Sequence, residues 1–213
     1  MTDTLHRILP QVQKPARYVG GEYNQIVKDK RDVDVRVAFC FPDTYEIGMS
    51  NIGMRILYGL MNELPGVWCE RVFAPWGDME EKMREHAIPL YALESHDPVR
   101  AFDLIAFTIG YEMSYTNILN MLDLSGVPLL ARERKGLENI VFAGGVCAVN
   151  PEPLADFIDF FSFGEGEEIT KEILACYRQA KKDGCSKEEF LLRVSRIDGV
   201  YVPSFYEHSY NPD

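Results

Sequence analysis

Apolar residues in this chain fall into short dense runs separated by stretches of helical period. Val35–Phe41, 68–73, 104–109, 140–143 and 160–163 are short, predominantly apolar runs, as strands buried on both faces require, with Arg36 and the pair Glu70-Arg71 as the charged interruptions. Between them, helical spacing covers 50–64, 78–86, 116–124 and 167–182. In the first of these helices Ile52, Ile56 and Leu60 form one row and Leu57, Met61 and Leu64 a neighbouring one, with Ser50 as the expected N-cap. In the last, Ile169, Ile173, Leu174 and Tyr177 share an inner face, and Gly184 stops the pattern. Strand and helix alternate, so the expected fold is α/β: a doubly wound, flavodoxin-like parallel sheet of about five strands with helices on each side.

The flanks are different. Residues 1–34 are polar, with Pro15 and Gly20-Gly21, and are expected to form an N-terminal arm that Tyr18, Val19 and Tyr23 could anchor. Residues 35–185 form the domain itself. Residues 186–213 add a small helix, Lys187–Val194, and an extended aromatic tail over 200–210.

A length of 213 residues allows one well-buried domain with appendages. The formal net charge of -11 argues against a chain that grips a nucleic-acid backbone by itself. The clusters 28–31 and 132–135 are short and interrupted by acids, and are expected to be solvated turns. Five cysteines (Cys40, Cys69, Cys147, Cys176, Cys185) lie far apart with no CxxC, CxxxCxxC or CxxH pair, so no metal or iron-sulfur site is expected within the chain. With no signal peptide and no run of membrane-spanning length, a cytoplasmic setting with reduced thiols is expected.

Candidate chemistry gathers where the strands end. The loop 43–51 feeds the first long helix, and a helix start presents unpaired N–H groups. The fourth strand ends in Gly144-Gly145 and the fifth in Gly164-Glu165-Gly166-Glu167, positions where a ligand can lie against bare backbone. Acids in that last loop make it a poor phosphate cradle, and GxG without a third glycine is a poor dinucleotide fingerprint. A signal receiver would need an Asp ending the third strand and a Lys ending the fifth, where Phe107-Thr108 and Phe163-Gly164 stand. His6, His86, His96 and His208 lie in termini or polar segments and are expected at the surface rather than as catalytic bases paired with a Ser or Cys nucleophile. Cys147 is either a small packing residue or a cofactor neighbour. Tyr45, Tyr111 and Tyr115 either stack on a large ring or pack locally.

The frame D-x-x-x-x-G at Asp43 and Gly48 is similar to the D-x-H-x-x-G loop of flavodoxin-like cobalamin domains, with Tyr45 where the cobalt-ligating His would stand. Gly144-Gly145 resembles the pair against which the nucleotide tail of such domains packs, and Thr108 stands where they place a small hydroxyl residue. The order G-G, Pro151 and Pro153, Asp159, then G-E-G-E resembles the N-terminal domain of cobalamin-binding (B12-binding) type radical S-adenosylmethionine (radical SAM) proteins. Segments 15–24, 41–58, 68–76 and 114–124 resemble one bacterial subfamily, in which this domain precedes a radical enzyme barrel.

The resemblance implies cobalamin bound base-off with no protein His on cobalt, by Asp43, Thr44, Tyr45, Gly48, Ser50, Thr108, Gly144, Gly145 and Glu165. It implies no catalytic residue in this chain. The 4Fe-4S cluster and S-adenosylmethionine belong to a downstream barrel of the same polypeptide, which the chain, ending at Asn211-Pro212-Asp213, is expected to precede. The alternative is a cofactor-free docking module for that barrel, favoured by the absent His and the bulky Tyr45 and Glu46. A flavin or other small ligand at the same edge is a third option. If the glycine pair serves ligand approach, Val at Gly144 and Gly145 is expected to abolish corrin uptake and leave folding largely intact.

Overall fold

A computed structural model of the chain describes residues 2–207 and 209. Met1, His208 and residues 210–213, with them the last residue of the expected aromatic tail, lie outside the described residues. Five parallel strands, β1 (Val35–Phe41), β2 (Val67–Phe73), β3 (Leu104–Thr108), β4 (Ile140–Gly144) and β5 (Phe160–Ser162), form one sheet. A two-residue β6 (Val200–Tyr201) adds antiparallel to β5, giving the order β2-β1-β3-β4-β5-β6. The first five strands follow the flavodoxin-like order, and the direction of winding reverses between β1 and β3.

Alternation along each strand supplies two cores. Ala38, Cys40, Val72, Ile105, Phe107, Val141 and Phe161 face α4 (Gly77–Glu85) and α5 (Tyr115–Ser125). Val35, Val37, Phe39, Leu104, Phe142 and Phe160 face α3 (Ile52–Glu63), α6 (Gly166–Asp183) and α7 (Lys187–Val194). Ile169, Ile173, Leu174 and Tyr177 of α6 are all buried, as their spacing predicts. Gly126 and Gly184 end α5 and α6 in the left-handed conformation, where a Cβ is unfavourable.

Two local expectations are corrected. The loop after β1 first forms a short helix, α2 (Tyr45–Ser50), so Ser50 ends a helix and Asn51 caps α3 by accepting from the Met54 N–H at 2.9 Å. The inner face of α3 carries Met54, Tyr58, Met61 and Asn62, while Ile52 and Ile56 point outward, 70% and 47% exposed. A helix apolar on nearly every side does not reveal its phase by spacing.

The N-terminal segment is more than an arm. Leu5 and Ile8 of α1 (Thr2–Ile8), with Leu9, Val12 and Tyr18, are buried in the first core. Further on, the segment shields the outer strand β2: the Trp68 indole N–H donates to Ile26 O at 2.9 Å, and Lys28 Nζ donates to Val67 O and Asn62 O. Leu93 N–H donates to Arg71 O further along the same free edge. An outer strand covered in this way cannot pair with another sheet.

Candidate functional site

The C-terminal ends of β1, β3, β4 and β5 stand side by side, so every expected site residue lies along one edge. Thr108 is the last residue of β3 and pairs directly with Gly144. Asn117 at the start of α5 donates to Pro42 O at 2.9 Å and fastens the third loop to the first. Within this edge, the residues separate into two groups that each pack elsewhere.

The first group leans towards β2. Asp43 accepts from its neighbour Thr44 N–H at 2.6 Å, and its carbonyl accepts from Ala74 N–H at 3.0 Å. Thr44 precedes α2 without a side-chain cap, and the Ser50 hydroxyl donates to Ile47 O at 2.8 Å. Tyr45 meets Phe73 edge-on at 5.6 Å, and its hydroxyl donates to Glu22 at 2.6 Å. Burial, with the Glu22 carboxylate beside it, pushes that phenol up to about 12, so it stays neutral and engaged. Gly48 is buried under Phe73 and Phe41, and any Cβ there would overlap the Phe73 ring. Glu46 is held by Arg17 and Lys14 of the N-terminal segment, and the Arg17 bond above all draws its carboxyl down to about 2.

The second group packs inward on β3 and β5. A Cβ on Gly144 would lie 2.7 Å from the Ser162 hydroxyl. Gly145 has φ +105°, and its Cβ would lie 2.7 Å from Ile109 O and 3.0 Å from Ile109 N. Ile109 N–H donates to Gly144 O at 2.7 Å and Cys147 N–H to Ile109 O at 3.1 Å, closing a backbone clasp between two loops. The glycine pair is thus fully accounted for by the close approach of the chain to itself. Valine at these positions must strain the fold, the outcome that goes with a special backbone angle at the pair.

Other parts of the edge are open. A Cβ on Gly110 or Gly164 would meet nothing within 4 Å, so their backbones lie bare. Met113, Val146 and Val149 are 79%, 75% and 73% exposed, and Tyr111 and, on α2, Ile47 are exposed at the same edge. Glu165 stands exposed before α6 with no capping bond. Tyr115 donates to Cys147 O and Asn150 O and is a local clamp rather than a free platform. Desolvation, then the Glu112 carboxylate, raises the Cys147 thiol above its ordinary value, so it is no activated nucleophile.

Sequence reasoning missed the ion clusters where the strands begin. Arg134, read as part of a solvated turn, is buried with its guanidinium 3.0 Å from Asp159. Lys187 approaches the other Asp159 oxygen at 2.5 Å, and burial still holds its ammonium below its ordinary value. Asp159 also accepts from Val141 N–H at 2.7 Å, so the Asp before the last parallel strand is a structural staple. An acid inside an apolar run was the one available signal.

The fold and its exposed edge define a doubly wound α/β domain whose strand ends are free to meet something larger. Residues 53–203 match the family described as radical SAM proteins, N-terminal, and the chain belongs to that family. It is also 29% identical over 143 residues to an uncharacterized protein of Methanocaldococcus jannaschii. That stretch covers 65% of this chain and 26% of the archaeal protein, so the chain spans about a quarter of that relative's length. Among the described residues, no helix is long and apolar enough to cross a membrane.

Proposed function

We propose that this chain is the N-terminal docking domain of a radical S-adenosylmethionine enzyme, which meets the catalytic barrel through the C-terminal edge of its sheet. The observation that carries the reading is the set of exposed apolar side chains Ile47, Tyr111, Met113, Val146 and Val149 in the segments that follow β1, β3 and β4. A soluble domain leaves such a group in water at a cost unless a partner covers it. The iron-sulfur cluster and S-adenosylmethionine belong to the barrel, because this chain carries no CxxxCxxC. The domain positions the barrel mouth and excludes water from it. Replacing Val146 and Val149 together by Asp is expected to abolish association with the catalytic domain, supplied fused or in trans, while the circular dichroism spectrum stays unchanged. Unimpaired association sinks the reading.

A second reading is favoured by the bare backbones of Gly110 and Gly164 beside exposed Tyr111: a flat corrinoid lies across the same edge. Cobalamin, if held there, would have no protein His on cobalt, since Tyr45 occupies that position and is bonded to Glu22. It would supply a methyl group for transfer. Incubation with hydroxocobalamin or methylcobalamin, desalting and a visible spectrum test this directly. A retained base-off spectrum supports it, and a colourless protein fraction from both the chain and its fusion to the barrel rejects it.

A further inference from the structure

On the opposite side of α3 from α6, a cavity of about 600 Å3 opens between α3, β2 and the N-terminal segment. That volume lies within the range of about 300–1,000 Å3 common for small-molecule sites. Its walls are apolar, with Ile26, Ile52, Ile56 and Tyr58, and two arginines line it with no carboxylate among the lining residues. Arg71 is buried, 6% exposed. Its Nε donates to Glu94 at 2.7 Å and its plane lies over the Tyr58 ring at 4.5 Å, which fixes the guanidinium. Nη1 reaches only the Met49 sulfur at 3.4 Å, and Nη2 has no hydrogen-bond partner. Buried N–H groups of a guanidinium left on a thioether or on nothing are exceptional. Arg55 is exposed on the same wall, so once Glu94 neutralises Arg71 the cavity keeps one net positive charge.

We infer that this cavity binds a small monocarboxylate with an apolar body, its carboxylate taken by the open donors of Arg71 and by Arg55. The flexible Met49 side chain, a weak acceptor, gives way to the carboxylate oxygen. The isoleucines and Tyr58 hold the apolar part. The site shares Gly48 and Met49 of α2 with the edge proposed to meet the barrel, but no residue of the loops 108–114 and 144–149 lines it, so the Val146 and Val149 test and the decanoate test can fail independently.

The probe is decanoate, compared with decanol, titrated into the chain with methyl NMR of methionine and isoleucine as readout. Decanoate is expected to saturate, shifting the Met49, Ile52 and Ile56 methyls, and to bind about tenfold or more tightly than decanol, as one charge-assisted hydrogen bond requires. Arg55→Gln, on the exposed surface, is expected to weaken decanoate and leave decanol unchanged. Arg71→Lys keeps a cation for Glu94 but removes the second donor, and should also narrow the preference. Equal binding of acid and alcohol, no effect of Arg55→Gln in a folded variant, or shifts confined to Met113 and the loop 144–149 overturn the proposal.

Discussion

Where the strands begin, carboxylates stitch the sheet together. Asp159 joins Arg134, Lys187 and the β4 backbone, and Asp103 accepts from Arg36 N–H at 2.8 Å and from Lys181 at 2.6 Å. Where the same strands end, apolar side chains stand in water and glycines carry the turns. Buried charges of this kind hold only while every partner is present. The loops at the other end carry few such obligations, so they are free to serve recognition. In an open α/β sheet ligands and partners gather at the carboxyl ends of the strands, and the placement of charge here gives a physical reason for that division.

The largest effect is expected at the starting edge. Asp159→Ala leaves two buried cations without their anion, and should lower unfolding free energy by about 3–5 kcal/mol in urea denaturation. A loss below about 1 kcal/mol would mean that the cluster is not a staple. Gly145→Val comes next. A β-branched residue at φ +105° and ψ 175°, a region open essentially only to glycine, adds roughly 1–3 kcal/mol of strain to the overlap with the Ile109 backbone. A variant as stable as the parent would return the glycine pair to a purely ligand-facing role. At the recognition edge the pattern reverses: Val146→Asp or Val149→Asp should change stability by less than about 0.5 kcal/mol each, measured by thermal melting.

The sheet was legible because strands buried on both faces leave dense apolar runs, and its order followed from the alternation with helices. The core role of the N-terminus was carried by Leu5, Ile8, Leu9 and Val12 at spacing i, i+3, i+4, i+7, a helical signal interrupted by Pro10 and by polar neighbours. The phase of α3 was not legible, since Ile52, Ile56, Met54 and Tyr58 offer competing apolar stripes. Gly144-Gly145 announced a close approach correctly, but sequence does not say whether the approaching group is a ligand or, as here, Ile109 and Ser162. The pairing of Arg71 with Glu94 depends on contacts across 23 positions, and neither residue announces burial by type.

The smallest expected effect lies at Glu46, between the N-terminal segment and the loop after β1. Its folded carboxyl titrates at about 2 against an ordinary 4.5, so its stabilising contribution is complete above 4.5 and fades as pH falls from there towards 2. Side-chain carboxyl NMR should show the low midpoint, and Arg17→Ala should move it back towards 4.5. An unchanged midpoint would mean that Arg17 does not hold this contact in solution.

The division between the two edges is tested most directly by hydrogen exchange of the chain alone and joined to a radical S-adenosylmethionine catalytic domain. New protection in the loops 43–50, 108–114, 144–149 and 163–166, with none added at 131–137 or around Asp103, is the predicted result. Protection gained where the strands begin, with the loops at their ends still exchanging freely, would contradict it.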